Sequence, residues 1–121
     1  MQTLYFESAW DKTISKQDRN DIIEIFKQTD LSLGDTVQFT FLWGAYNHKE
    51  ELLVTALIHN CGNTPLHIND SVISFVRNNE IIATGKFQLH TAIASITTMP
   101  WTFIFSPTNS TNEQPEYVIE C

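Results

Sequence analysis

Three side chains with metal-ligating chemistry stand close together, His59, Cys61 and His67, in an H-x-C-x5-H arrangement. Zinc is held by four protein donors, or by three and a water, which a scaffold brings to one point. Here two donors flank a turn and the third follows Pro65-Leu66. His90 or Cys121 would join them only by accident of folding, so the pattern reads as a strand end and its loop. No metal or other cofactor is expected. A nucleophile is no better served. Cys61 could be paired with His48 or His59 as base, but catalysis also needs a third group to orient the base. No glycine-rich elbow surrounds any Ser or Cys, and glycine occurs only four times. Glu50-Glu51 falls at a turn, and loops that cradle phosphate are absent. The expectation is a protein without catalysis of its own.

Binding is the chemistry left. Trp43, Trp101, Phe103 and Phe105 alternate as core side chains do. Tyr46, beside the Asn47-His48 turn, is the aromatic best placed to be exposed, and binding surfaces favour Tyr and Trp. A partner is expected at an exposed strand edge or at two loops, Tyr46–Glu50 and Asn60–Pro65. Candidate partner-binding residues there are Tyr46, Asn47, His48, His59, Asn60 and Gly62. The alternative is a carbohydrate-binding β-sandwich module that uses Tyr46 or Trp101 as a stacking platform.

The elements that must position these residues follow from periodicity. Ser15 is a suitable N-cap, Asp18 follows three residues later, and Ile22, Ile23 and Phe26 fall at helical spacing. A helix over about 15–28 results, too short to stand alone, so its apolar stripe must dock together with Trp10 and Ile14. After Gly34 the period changes to two. Val37, Phe39, Phe41 and Trp43 predict a strand with one buried face. Leu52 to His59 is apolar on both faces, which predicts a central strand. Asn78-Asn79 between Ser71–Arg77 and Glu80–Thr84 predicts a hairpin, since Asn tolerates positive φ. Gly85 predicts a bulge before Phe87–Leu89, and Pro100-Trp101 opens a strand at Thr102–Phe105. Pro107–Pro115 is a polar loop, and Tyr117–Ile119 a last edge strand. Short strands at close intervals, with one helix in front, predict a mainly β protein: an immunoglobulin-like antiparallel β-sandwich with one N-terminal α-helix. There is no repeat and no linker, so residues 1–121 read as one domain with the sandwich at about 36–121.

Charge narrows the partners. Seven basic residues stand against fourteen acidic ones, for a net charge of −7. Four of the bases (Lys12, Lys16, Arg19 and Lys27) lie near the front, so no basic patch can neutralise a run of phosphates. Nucleic acid and anionic membrane surfaces are therefore poor partners, and the acidic polar face of the 15–28 helix argues against membrane insertion, while a protein segment at a strand edge stays the expected partner. Met1 to Trp10 contain no Lys or Arg, and Glu7 interrupts a very short apolar stretch, so no signal peptide is expected. Two cysteines, one in a turn and one at Cys121, fit a reducing compartment and a cytoplasmic location.

Several blocks in order are more specific: Ala45-Tyr46-Asn47-His48-Lys49, Glu51-Leu52-Leu53-Val54-Thr55, Ile58-His59-Asn60, and Met99-Pro100-Trp101-Thr102-Phe103-Ile104-Phe105. Ahead of them stands Ala9-Trp10 with Ser15, Asp18 and Arg19. From about Trp10 to Pro107 the chain resembles the SLAP domain of Gram-positive bacteria, found in accessory Sec system S-layer assembly proteins. The resemblance implies a cytoplasmic helper that works beside an accessory secretion ATPase in the export and assembly of surface-layer proteins. The chain departs from the family pattern at Ile58-His59-Asn60-Cys61-Gly62, where an arginine and an uninterrupted Asn-Gly turn are common. It also holds one copy of the domain where the named assembly proteins carry two.

Overall fold

The run Leu52–Asn60 is buried along both of its faces. Leu52, Val54, Ala56 and Ile58 point one way and Thr55, Leu57 and His59 the other, and all seven are buried. A strand with no solvent face must be central and covered twice. The computed structural model describes residues 2–32, 34–107 and 113–121. Its elements in chain order are β1 (Thr3–Leu4), α1 (Ser8–Thr13), α2 (Lys16–Gln28), β2 (Val37–Tyr46), β3 (Leu52–Asn60), β4 (Ser71–Arg77), β5 (Glu80–Phe87), β6 (Thr97–Phe105) and β7 (Tyr117–Glu120). One sheet has the order β1-β6-β3-β2 and the other β5-β4-β7. The molecule is thus a mainly β two-sheet sandwich with a helical front.

The cover on the inner face of β3 is the second sheet. Val54, Ile58, Met99 and Phe103 share one buried cluster with Ile73, Phe75 and Ile119. Ring contacts lock the layers: Phe87 lies edge-on to Phe103 and Phe105 at 5.1 and 5.0 Å, and Phe41 stacks on Phe75 at 5.5 Å. The outer face carries Leu57 and His59, both fully buried but outside that cluster, as is Ile22 of α2. The enclosure of Ile22 together with Leu57 and His59 is what the docking of the apolar stripe of α2 on this face requires. Ser15 starts that helix as expected, its Oγ accepting from the Asp18 amide at 3.0 Å.

Four local expectations are corrected. A second, shorter helix, α1, precedes the expected one, and Glu7 caps it by accepting from the amides of Ala9 and Trp10 at 2.8 and 3.3 Å. Arg19 ties α1 to α2 through the Asp11 carboxylate at 2.7 Å and lies over the Phe6 ring. In β2 a register shift falls between Phe41, opposite Ala56, and Trp43, opposite Thr55. An extra residue in one strand reverses the facing of everything beyond it. Trp43 therefore leaves the face of Phe39 and Phe41. Gly85 holds regular register opposite Ile73, and the irregularity of that hairpin lies at Phe75/Val76. Pro100 lies inside β6, opposite Leu57, not at the strand's start. Its missing N–H costs no ladder bond, because β1 pairs with β6 only at Thr97 and Thr98.

The two outermost additions, β1 on β6 and β7 on β4, are parallel, a departure from the wholly antiparallel arrangement expected. Parallel neighbours need long crossovers, and these two pairs are joined through most of the chain and through forty-odd residues by numbering alone. The Asn78-Asn79 hairpin forms as expected, with φ of 52° and 65°. Residues 108–112 of the expected 107–115 loop lie outside the described residues. No described helix is long and apolar enough to cross a membrane.

Candidate partner-binding surfaces

The six candidate residues do not form one surface. Tyr46 pairs with Leu52 at one end of β3, and Asn60 with Val37 at the other. At about 3.3 Å per residue the two ends are roughly 26 Å apart.

At the first end Asn47 builds the turn. Its Oδ1 accepts from the amides of Lys49 and Glu51 at 2.9 and 3.0 Å, and its Nδ2 donates to Glu51 Oε1 at 2.8 Å. Glu50 takes a φ of 62° in consequence. A side-chain oxygen that stands in for a backbone carbonyl is the usual service of Asn in turns. Tyr46 and His48 are left free to face water, Tyr46 at 69% exposure. Tyr46 also walls an open cleft of about 250 Å³ with Glu50, Ile82 and Phe105. Trp101, the other proposed platform, points inward opposite Ala56 and meets the His90 ring edge-on at 6.0 Å.

The second end is corrected. His59 is 0% exposed and Asn60 2% exposed, so neither presents its side chain to a partner. His59 Nε2 meets Thr40 Oγ1 at 2.7 Å, and its Nδ1 meets Thr98 Oγ1 at 2.7 Å, which links β2, β3 and β6. A neutral imidazole has one donor and one acceptor nitrogen, and a hydroxyl can answer either. Burial favours that neutral form and pushes the pKa of His59 down to about 4. Asn60 Nδ2 donates to the carbonyls of Thr64, Ile93 and Ala94 at 2.9, 3.0 and 3.1 Å, and its Oδ1 accepts from the Gly62 amide at 3.1 Å. Its work is to tie the Cys61–Pro65 loop to the segment before β6.

Gly62 is needed for space. A Cβ there would stand 2.6 Å from Thr36 Cγ2. Gly62→Ala should cost about 1 kcal/mol, the low end for overpacking, because the exposed Thr36 side chain can turn aside. Thr36→Ser removes that methyl and should restore most of the loss. Urea unfolding of the two single variants and the double variant measures this coupling.

His59, Cys61 and His67 do not converge. His59 is enclosed, Cys61 Sγ faces Gln38 Nε2 at 3.8 Å, and His67 is exposed. Among the described residues no group of three or more His, Cys, Asp or Glu side chains is placed to hold a metal ion. Cys61 with His48 is excluded as a nucleophile-base pair in this geometry, since they lie at opposite ends of β3. The half-buried thiol of Cys61 has its pKa raised by desolvation, which works against the thiolate a nucleophile needs.

One surface was missed from sequence. β2 and β7 are edge strands of different sheets that run side by side without a ladder between them. An open groove of about 470 Å³ separates them, lined by Asp35, Phe39, Glu116, Tyr117, Val118 and Glu120 among others. The Phe39 and Tyr117 rings meet across its floor at 5.6 Å. Burial raises the Tyr117 pKa, helped by the charge of Glu116 and its hydrogen bond to the phenol. The only sequence signal was the alternation Glu116-Tyr117-Val118-Ile119-Glu120, and the neighbour of that strand is not legible in it.

Buried polar side chains that hold the scaffold, and open main chain confined to edges and turns, define a helix-fronted β-sandwich domain. The chain matches the family model of the SLAP domain over residues 4–118 and belongs to that family. No curated protein matches it, and no solved structure does.

Proposed function

We propose that this domain is a protein-binding module, without catalysis of its own, that assists accessory Sec-dependent export and assembly of surface-layer proteins in the cytoplasm of a Gram-positive bacterium. Family membership carries the reading, since the matched model bears the accessory Sec system in its name. Its geometry supports it. Among the described residues the ten-residue β2 is bonded on one side only, and an unpaired edge recruits an extended partner through main-chain hydrogen bonds. An exported chain held before it folds offers such a segment. The exposed Tyr46 and His48 at the end of the same strand add side-chain contact.

The test is capture by the purified domain, immobilised, of the purified accessory secretion ATPase and of an unfolded surface-layer precursor. Retention of either one, weakened by Tyr46→Ala, is expected. If neither is retained above a control β-sandwich, the reading fails.

A further inference from the structure

The groove between β2 and β7 has a shape and a charge that together describe its occupant. β7 is bonded to β4 on one side and to nothing among the described residues on the other. Its outer-face side chains are Val118 and Glu120, because Tyr117 and Ile119 share the face of Ile73 and Phe75, and Glu116, just before the strand, continues that alternation while its carboxylate reaches the Tyr117 phenol. Both glutamates are exposed, and Val118 is 41% exposed. Asp35 stands on the facing wall, and no Lys or Arg lines the groove. The floor, by contrast, is made of the Phe39 and Tyr117 rings.

A strand added beside β7 would set its alternate side chains opposite this pattern. Residues directly opposite on one face interact, and opposite charges there stabilise where like charges repel. We infer that the β2–β7 groove takes an extended peptide segment with two basic side chains four positions apart, small or apolar residues between them, and its intervening side chains turned down onto Phe39 and Tyr117. The pattern of basic residues is symmetric, so it suits either strand direction. This rests on the protein-binding reading above and gives that partner its chemistry.

The experiment titrates ¹⁵N-labelled protein with the capped peptide Ser-Lys-Val-Thr-Val-Lys-Ser and with its counterpart carrying Glu for Lys. Amide shifts at residues 116–120 and 37–39 are expected with the basic peptide only. Binding should weaken as salt is raised, because exposed charges are screened. The double variant Glu116→Lys/Glu120→Lys should lose about tenfold or more in affinity for the basic peptide and gain the acidic one. Both positions are exposed, so the fold should persist. Should that variant not fold, Asp35→Lys on the facing wall carries the same expectation. Equal binding of both peptides, shifts confined to the Tyr46–Glu50 end, no binding at all, or self-association through β7 would each overturn the inference. The capture assay reads the broader function separately, and it can succeed with the groove empty.

Discussion

Asn60→Ala should lower the free energy of unfolding by about 2–4 kcal/mol, measured by urea unfolding at neutral pH. The substitution removes the bond that Oδ1 accepts from Gly62 and the contacts of Nδ2, whose two protons are shared among three carbonyls. A typical net value is near 1 kcal/mol each, and two corrections apply. The Ile93 carbonyl keeps a second donor, the Leu66 amide at 2.8 Å, so it is not orphaned. The bonds to Thr64 and Ala94 are only part-buried, and water can take over some of their role. Asn60→Asp is the sharper probe. It keeps the acceptor for Gly62 but turns an oxygen toward three carbonyl oxygens. At neutral pH it should therefore cost more than the alanine. Its deficit should shrink in acid, where the protonated carboxyl can donate again. A deficit for Asp smaller than that for Ala at neutral pH would mean that the contacts of Nδ2 carry little.

The second large effect is acid sensitivity centred on His59. Its pKa is about 4 folded and near 6.5 when exposed in the unfolded chain. Between those values the unfolded state binds the extra proton, so stability rises with pH through this window. The contribution is complete above about pH 6.5 and is lost as pH falls toward 4. The full span amounts to roughly 3 kcal/mol. His59→Gln, which can still bond one of the two threonines, should be less stable at pH 7 and should lack this part of the slope. Thermal or urea unfolding at several pH values between 4 and 7 measures the difference from the wild type. Glu7 overlaps only the acid end of this window. Its burial would raise its pKa, but the Ala9 and Trp10 amides and His90 more than offset this, so its contribution is lost only as pH falls from the ordinary carboxylate value downward, at the acid end of the window. Parallel pH profiles for His59→Gln and wild type would show that the histidine titrates freely in the folded protein.

The legible parts of this fold are those that local chemistry dictates. Ser15 and the Ile22-Ile23-Phe26 spacing specify α2, and the Asn78-Asn79 pair specifies a turn that needs positive φ. The double apolar character of Leu52–His59 located the central strand correctly. The same observation could have ruled His59 out as a contact residue. It stands at the same parity as Thr55 and Leu57, on a face that a central strand has covered. The bulge in β2 could not be read, because Val37, Phe39, Phe41 and Trp43 alternate without a break. Only packing decides that Trp43 should leave the interior. α1 was hidden by its unusual cap, since Glu is not among the favoured N-cap types. The two parallel pairings and the β2–β7 groove depend on which distant segments meet, and periodicity does not encode that. Asn60 is the instructive middle case. Its turn-forming chemistry was visible, but its three carbonyl partners lie up to 34 positions away.

The pairing of β1 with β6 bears on the order of events at the ribosome. Thr3 and Leu4 find their partners only at Thr97 and Thr98, and the Thr3 amide bonds to the Ile96 carbonyl. Thr3 and Leu4 must therefore wait until Thr97 and Thr98 have been made, which places their docking late in the formation of this domain. Until β6 is made, the apolar β3 also lacks its neighbour on that side, and the domain is at its stickiest while still incomplete.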